Sequence, residues 1–141
     1  MRVVVDANVY VSAVMTKGSP HRIFQRWLAG SGIEIIACQR LLDEVLQVLT
    51  TRPQVMKRVD HQLANRMISR LVTGIGLMPD PTDVQQWTRD GDDDYLIALA
   101  REQGADCIVS RDKDLLEWEE QTPPVITPSE FEKTLGPLPR R

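Results

Sequence analysis

The chain has 141 residues, of which 42% are hydrophobic and 26% charged, and its net charge is −3. These values predict one globular domain with a sizeable core and argue against a broadly basic nucleic-acid-binding protein. The aromatic share of 5% argues against recognition built mainly on base stacking. No apolar run approaches the ~18 residues of a membrane span, and no signal-peptide core follows Met1, so we expect a cytoplasmic protein.

Short apolar runs alternate with amphipathic stretches, which is typical of strands and helices taken in turn. The expected strands are 3–5, 34–38, 74–78, 106–110 and 123–127. The expected helices are 20–29, 39–52, 55–72, 95–103 and a closing helix that Ser129 caps and that ends near residue 135. This alternation predicts a single α/β domain over 1–135, with three layers (α/β/α) around a central, mostly parallel sheet. A frayed tail is expected at 136–141.

Local signals place several ends of these elements. Ser19 before Pro20 is typical of an N-cap, Pro53 ends the helix before it, and Gly104 is a natural residue to follow a helix. The mildly apolar segment 9–17 is assigned no element. The two cysteines, Cys38 and Cys107, lie in apolar runs, which predicts buried, reduced thiols.

Four carboxylates stand where a predicted element begins or ends, or on the flank of a buried helix face. They are Asp6, Glu44, Asp93 and Asp112. Asp6 ends the first strand, where open α/β sheets place their ligand crevice. Helical periodicity puts Glu44 nearer the apolar stripe than Asp43, and it leaves Asp94 a close second to Asp93.

Carboxylates gathered in one crevice repel one another, and burying each charge costs several kcal/mol, roughly, unless a cation compensates it. Because the four acids offer only oxygen donors, and His21 and His61 are isolated, Mg²⁺ or Mn²⁺ is favoured over Zn²⁺. Taken singly, each acid also fits a turn, a helix cap or a surface position. A basic strip, which also fits the solvated side of a helix, comprises Arg52, Lys57, Arg58, Arg66 and Arg70.

Four segments in this order resemble the motifs of PIN-domain proteins, in particular the VapC-like toxins of type II toxin–antitoxin pairs. They are 4–8 (VVDAN), 41–49 (LLDEVLQVL), 90–100 (DGDDDYLIALA) and 109–116 (VSRDKDLL). The second motif places its acid on Glu44, and the small residues Ala98 and Ala100 set the register of the third on Asp93. The resemblance covers nearly the whole chain.

The resemblance implies a metal-dependent ribonuclease in which Asp6, Glu44, Asp93 and Asp112 bind Mg²⁺ or Mn²⁺ and carry the catalysis. Asn8 and Ser110 are expected to hydrogen-bond a carboxylate or a metal-bound water. Asp94 and Asp114 are likewise expected to support the metal ligands without binding the metal themselves. The resemblance further implies an RNA substrate, a small antitoxin partner and a homodimer that pairs through 39–72.

The residues leave open two phosphoryl-transfer folds and one class of protein without strong catalysis. A haloacid-dehalogenase-like phosphatase would carry a second Asp two residues after Asp6, where this chain has Asn8. A phosphotransfer receiver would carry a lysine after a late strand, and Lys113 fits that place poorly. The other class is a catalytically weak RNA-binding or interaction protein that keeps the same fold.

Overall fold

The computed structural model describes residues 1–74 and 76–136. Its strands form one sheet in the order β2-β1-β3-β4, and each neighbouring pair is parallel. The strands are β1 (Arg2–Val5), β2 (Glu34–Ile36), β3 (Cys107–Val109) and β4 (Val125–Ile126). The helices are α1 (Ala7–Met15), α2 (Ser19–Leu28), α3 (Gln39–Thr51), α4 (Pro53–Met56), α5 (His61–Thr73), α6 (Asp94–Gln103), α7 (Lys113–Leu116) and α8 (Pro128–Leu135). The predicted α/β class with a parallel sheet between helical layers is confirmed.

The central position of β1 brings its carboxyl end next to that of β3. Val3, Val4 and Val5 have no exposed surface, as expected of a strand that is covered on both faces. Val5 pairs with Val109, and the next backbone amide, that of Asp6, donates to the Val109 carbonyl at 2.9 Å. The first residues after the two strands, Asp6 and Ser110, are therefore neighbours.

Helix α1 occupies the first part of the segment to which no element was assigned. Six of its nine residues are buried, including the β-branched Val9, Val11 and Val14. β-Branched side chains favour strands, and a helix buried on most sides shows little amphipathic pattern. Both effects hide this helix from periodicity, and tertiary packing decides its structure.

The single helix predicted over 55–72 is wrong. The chain forms the short α4, a turn, and then α5, which begins after Asp60. The Asp60 amide donates to the Val14 carbonyl at 2.8 Å, and its side chain caps α5 by accepting from the Leu63 amide at 3.1 Å. Pro53 ends α3 as expected but also begins α4, because proline is tolerated in a first helical turn.

Several smaller expectations also change. Gly18 rather than Ser19 is the N-cap of α2, and Thr127 rather than Ser129 caps α8 through a reciprocal capping box with Glu130. Of the strand predicted at 74–78, the described residues keep one isolated bridge, between Cys38 and Met78. Helix α7 lies in a stretch that was expected to be loop.

Two other expectations, on Gly104 and on the cysteines, are confirmed. Gly104 follows α6 in the left-handed conformation, with φ 65°. Cys38 and Cys107 are buried and unpaired, and burial raises the pKa of each thiol to about 11. Within 1–74 and 76–136, no helix is long and apolar enough to cross a membrane. Residues 137–141 of the expected tail lie outside the described residues.

Candidate active site

The site begins at the carboxyl end of β1. Asp6 follows the strand directly, is 3% exposed, and serves as the N-cap residue of α1. The buried hydroxyl of Ser110, at the end of β3, donates to the Asp6 carboxylate at 2.7 Å. Burial raises the pKa of Asp6, and the Ser110 hydroxyl and the amides of Asn8 and Ala7 oppose that rise. Ser110 therefore supports the Asp6 carboxylate, and its expected role at a metal site stays a prediction.

Ser110 also links the first acid to the fourth. Its hydroxyl accepts from the Asp112 backbone amide at 3.0 Å while it donates to Asp6. Asp112 is the N-cap of α7 and accepts from the Asp114 amide at 3.3 Å. One fully buried hydroxyl therefore holds the chain so that Asp112 lies near Asp6. The negative charge of Asp112 raises the pKa of Asp6 further.

Asp93 joins these acids from the start of α6. It is half-buried, and its carboxyl group interacts directly with that of Asp112. Burial, with the charges of Asp6, Asp112 and Glu44, raises the pKa of Asp93 to about 7. Asp93 therefore lies within reach of the charges of the other three acids.

Glu44 approaches from α3 and has a different environment. Burial raises the pKa of this carboxyl group, and the Tyr95 hydroxyl and the Arg40 charge oppose the rise. Arg40 lies one helical turn before Glu44, with Nε 3.9 Å from a carboxylate oxygen, and its guanidinium carbon is 4.0 Å from the centre of the Tyr95 ring. Asp43, the rival of Glu44 in the sequence, is exposed and accepts from the Gln39 side chain at 2.8 Å.

A pocket of about 360 Å³ opens beside the acids and continues along α3. Asp6, Glu44 and Asp93 line its acidic end, with Asn8 next to them. Its other residues are Ala7, Gln47, Val48, Thr51 and Arg52. Two members of the predicted basic strip therefore have different surroundings. Arg52 lines this pocket, whereas Arg70 lies over the Trp27 ring at 5.4 Å and donates to the Leu28 carbonyl.

Two of the expected supporting residues have other partners. The Asp94 carboxylate is 1% exposed and accepts from the Trp87 amide at 2.9 Å and from the Thr88 hydroxyl at 2.7 Å. Asp114 lies 3.7 Å from Arg89 and lines a separate cavity that contains Trp87 and Trp118. Of the adjacent pair, it is therefore Asp93 that lies with Asp6, Glu44 and Asp112.

The chemistry of the donors fits a hard divalent cation. The four acids offer only oxygen atoms, and the pKa values of Asp6, Glu44 and Asp93 are all raised in the folded chain. In the described part of the chain, no three Asp, Glu, His or Cys side chains already stand in a metal-binding arrangement.

Sequence reasoning missed three residues near these acids. Arg40 was detectable, since residues four apart on a helix are neighbours and Arg40 precedes Glu44 by four. Tyr95 was counted only as part of the third motif, although its hydroxyl faces Glu44. Asp92, which is exposed, adds negative charge that raises the pKa of Glu44.

A family model described as PIN domain matches residues 2–114, well over half of the chain. The matched stretch includes all four acids and three of the four strands. No curated protein and no solved structure matches the chain. Of the classes that the residues left open, the family match favours the nuclease fold over the phosphatase and receiver folds.

Proposed function

We propose that this chain, which belongs to the PIN-domain family, is an endoribonuclease that depends on Mg²⁺ or Mn²⁺. PIN domains are generally nucleases, and the proposal adds the metal and the RNA substrate. The observation that carries it is the convergence of four acids from β1, α3, α6 and the turn after β3. RNA is proposed because the four motifs resemble those of ribonuclease toxins.

The surroundings of each acid indicate its role in binding the cation. Asp6, Asp93 and Asp112 would hold the cation, with Asp6 fixed by the Ser110 hydroxyl. Glu44, beside Arg40, would complete the set from the α3 side of the pocket. When bound, the cation supplies Lewis-acid stabilisation of the phosphoryl oxygens and activation of the attacking water.

The reaction is the hydrolysis of a phosphodiester. A water oxygen forms a bond to phosphorus, the bond from phosphorus to one ribose oxygen breaks, and that oxygen takes up a proton. A carboxylate near the attacking water accepts the proton that the water loses. Arg52, at the far end of the pocket, is placed to contact a neighbouring phosphate.

We further propose that the protein is the toxin of a toxin–antitoxin pair and forms a homodimer through 39–72. The large apolar side chains of Met56 and Val72 are 47% and 50% exposed on this stretch, which supports a contact surface there. A basic side chain of the antitoxin would be attracted to the acidic end of the pocket. Light scattering measures the dimer, and the gene next to this one shows whether an antitoxin is encoded.

The nuclease proposal is tested by incubating the purified chain with structured and single-stranded RNA in Mg²⁺, in Mn²⁺ and in EDTA. We expect cleavage only with a divalent cation. Asp6→Asn and Glu44→Gln should each lower the rate at least about 100-fold, because each removes charge from the metal-binding set.

The matched control is Asp43→Asn, which removes an equal charge from the neighbouring position on α3. Since Asp43 is exposed and outside the pocket, this variant should cleave within about twofold of the wild-type rate. Cleavage that survives unchanged in Asp6→Asn and Glu44→Gln contradicts the assignment. Metal-dependent RNA binding without cleavage would instead support the interaction-protein alternative.

A further inference from the structure

We propose that Tyr95 is a positioning residue for Glu44, whose hydroxyl is held ready to donate to the Glu44 carboxylate when that carboxylate turns toward a divalent cation. The inference rests on the proposed function, because it assigns Tyr95 to the same metal-binding set. It concerns a side chain that lies in the core of the domain rather than in the pocket.

The first observation is an unsatisfied hydroxyl. Tyr95 is 1% exposed, and its hydroxyl has no hydrogen-bond partner in the described part of the chain. A buried polar atom without a partner costs about 1–3 kcal/mol, which a phenylalanine at this position would avoid. The hydroxyl faces Glu44 closely enough to interact with its charge, although the two groups do not meet the geometry of a hydrogen bond.

The second observation is that the ring is held in place from the same side as Glu44. The Arg40 guanidinium lies over the Tyr95 ring, 4.0 Å from its centre, and 3.9 Å from Glu44. Arg40 also donates to the Asp92 carbonyl at 3.4 Å. Arg40 therefore packs the ring against α3 and lies beside the carboxylate that the hydroxyl faces.

Together these contacts hold the Tyr95 hydroxyl in place before the Glu44 carboxylate turns to accept from it. Glu44 lines the pocket and is only half-buried, so its side chain is less confined than the buried Tyr95 ring. A carboxylate that binds a cation is oriented by such a hydrogen bond, because the hydrogen-bond partners of metal ligands generally fix the direction of those ligands.

The chain offers a matched control. Tyr10 is the other described tyrosine whose buried hydroxyl lacks a partner, and it is 2% exposed. Its ring packs on Phe24, with the ring centres 4.8 Å apart, and Glu44 is not among the groups that affect its pKa. Tyr10→Phe and Tyr95→Phe thus remove the same atom from two core sites, of which one faces Glu44.

The experiment measures Mn²⁺ binding to the full chain by titration calorimetry, together with the melting temperature in EDTA. We expect Tyr95→Phe to weaken Mn²⁺ binding about tenfold while its melting temperature in EDTA is unchanged or higher. Tyr10→Phe should bind Mn²⁺ within about twofold of wild type. In a Glu44→Ala background, Tyr95→Phe should weaken binding no further, because its acceptor has been removed.

Each outcome separates this inference from the proposed function. If the wild type binds Mn²⁺ and Tyr95→Phe binds it equally well, the inference is overturned and the nuclease proposal stands. Equal weakening by both tyrosine variants assigns the effect to core packing and also overturns it. A wild type that binds no Mn²⁺ overturns the metal-dependent function, and the role of Tyr95 with it.

Discussion

Asp93 and Asp94 are adjacent and chemically identical, but the fold gives them opposite environments. Asp94 is buried, and its carboxylate accepts from two backbone amides and one hydroxyl, supplied by Trp87 and Thr88. Asp93 is only half-buried, and its nearest charged neighbours are other carboxylates, which raise its pKa to about 7. The protein therefore stabilises one negative charge and leaves the other uncompensated.

The difference shows how a stable domain can carry a destabilising site. The bonds to Asp94 close the loop before α6: the Thr88 hydroxyl donates to Asp94 and accepts from the Gly91 amide at 3.2 Å. This loop ends at Asp93, so the well-bonded residue holds the poorly bonded one in place. Charge that the protein leaves uncompensated is available to a cation from solution.

The largest effect on stability is expected from Asp94→Asn. The new amide nitrogen would face backbone donors, so at least one buried donor loses its acceptor, at a cost of about 2–3 kcal/mol. The melting temperature should fall by ~5–10 °C, measured by circular dichroism in EDTA. Asp93→Asn is the matched control, and an equal loss in both variants would show that the two positions do not differ.

A smaller effect of opposite sign is expected from Asp93→Asn without divalent cations. Removing the repelled charge should raise the melting temperature by about 2–4 °C at neutral pH, while RNA cleavage is lost.

The pH dependence follows from the raised pKa of Asp93. Folding raises this pKa from the ordinary 3.8 to about 7, so between these values the folded state binds the proton more tightly than the unfolded state. The free energy of unfolding of the wild type should then fall as the pH rises through this window. The stability advantage of Asp93→Asn should therefore grow from about pH 5 to pH 8, and an advantage independent of pH would contradict the assignment.

The same pair shows how far the sequence predicts the site. The place of Asp6 follows from a short, fully apolar strand, and that of Glu44 from helical periodicity, since both signals are local. Periodicity and the register of the third motif favoured Asp93 over Asp94, but the different environments of the two are not local, because they depend on bonds from the 87–88 backbone, in a segment without a regular element. The position of Tyr95 beside Glu44 was missed for a related reason. A sequence pattern can indicate that a tyrosine is buried, but it does not indicate where the hydroxyl points.

The fold shows the same limit. The parallel sheet was predictable because each strand is a compact apolar run between turn signals. Helix α1 was not, because its valines favour strands and its buried surroundings remove the amphipathic pattern. The break between α4 and α5 depends on a bond from the Asp60 amide to the Val14 carbonyl, which lies 46 residues earlier in the chain. Local propensity carries no information about such a contact.

A smaller loss of stability than that of Asp94→Asn is expected from Thr88→Val, which sharpens the comparison by removing one bond to Asp94 and leaving the carboxylate in place. Valine keeps the shape of threonine but loses the hydroxyl that donates to Asp94 at 2.7 Å and accepts from the Gly91 amide. Because the Trp87 and Thr88 amides still bond to Asp94, the loss should be about 1–2 kcal/mol, less than for Asp94→Asn.

In the Asp94→Asn background Thr88→Val should cost less than it does alone, since the two groups share a bond. Additive losses in the melting temperatures would mean that Thr88 stabilises the loop through Gly91 and not through the carboxylate.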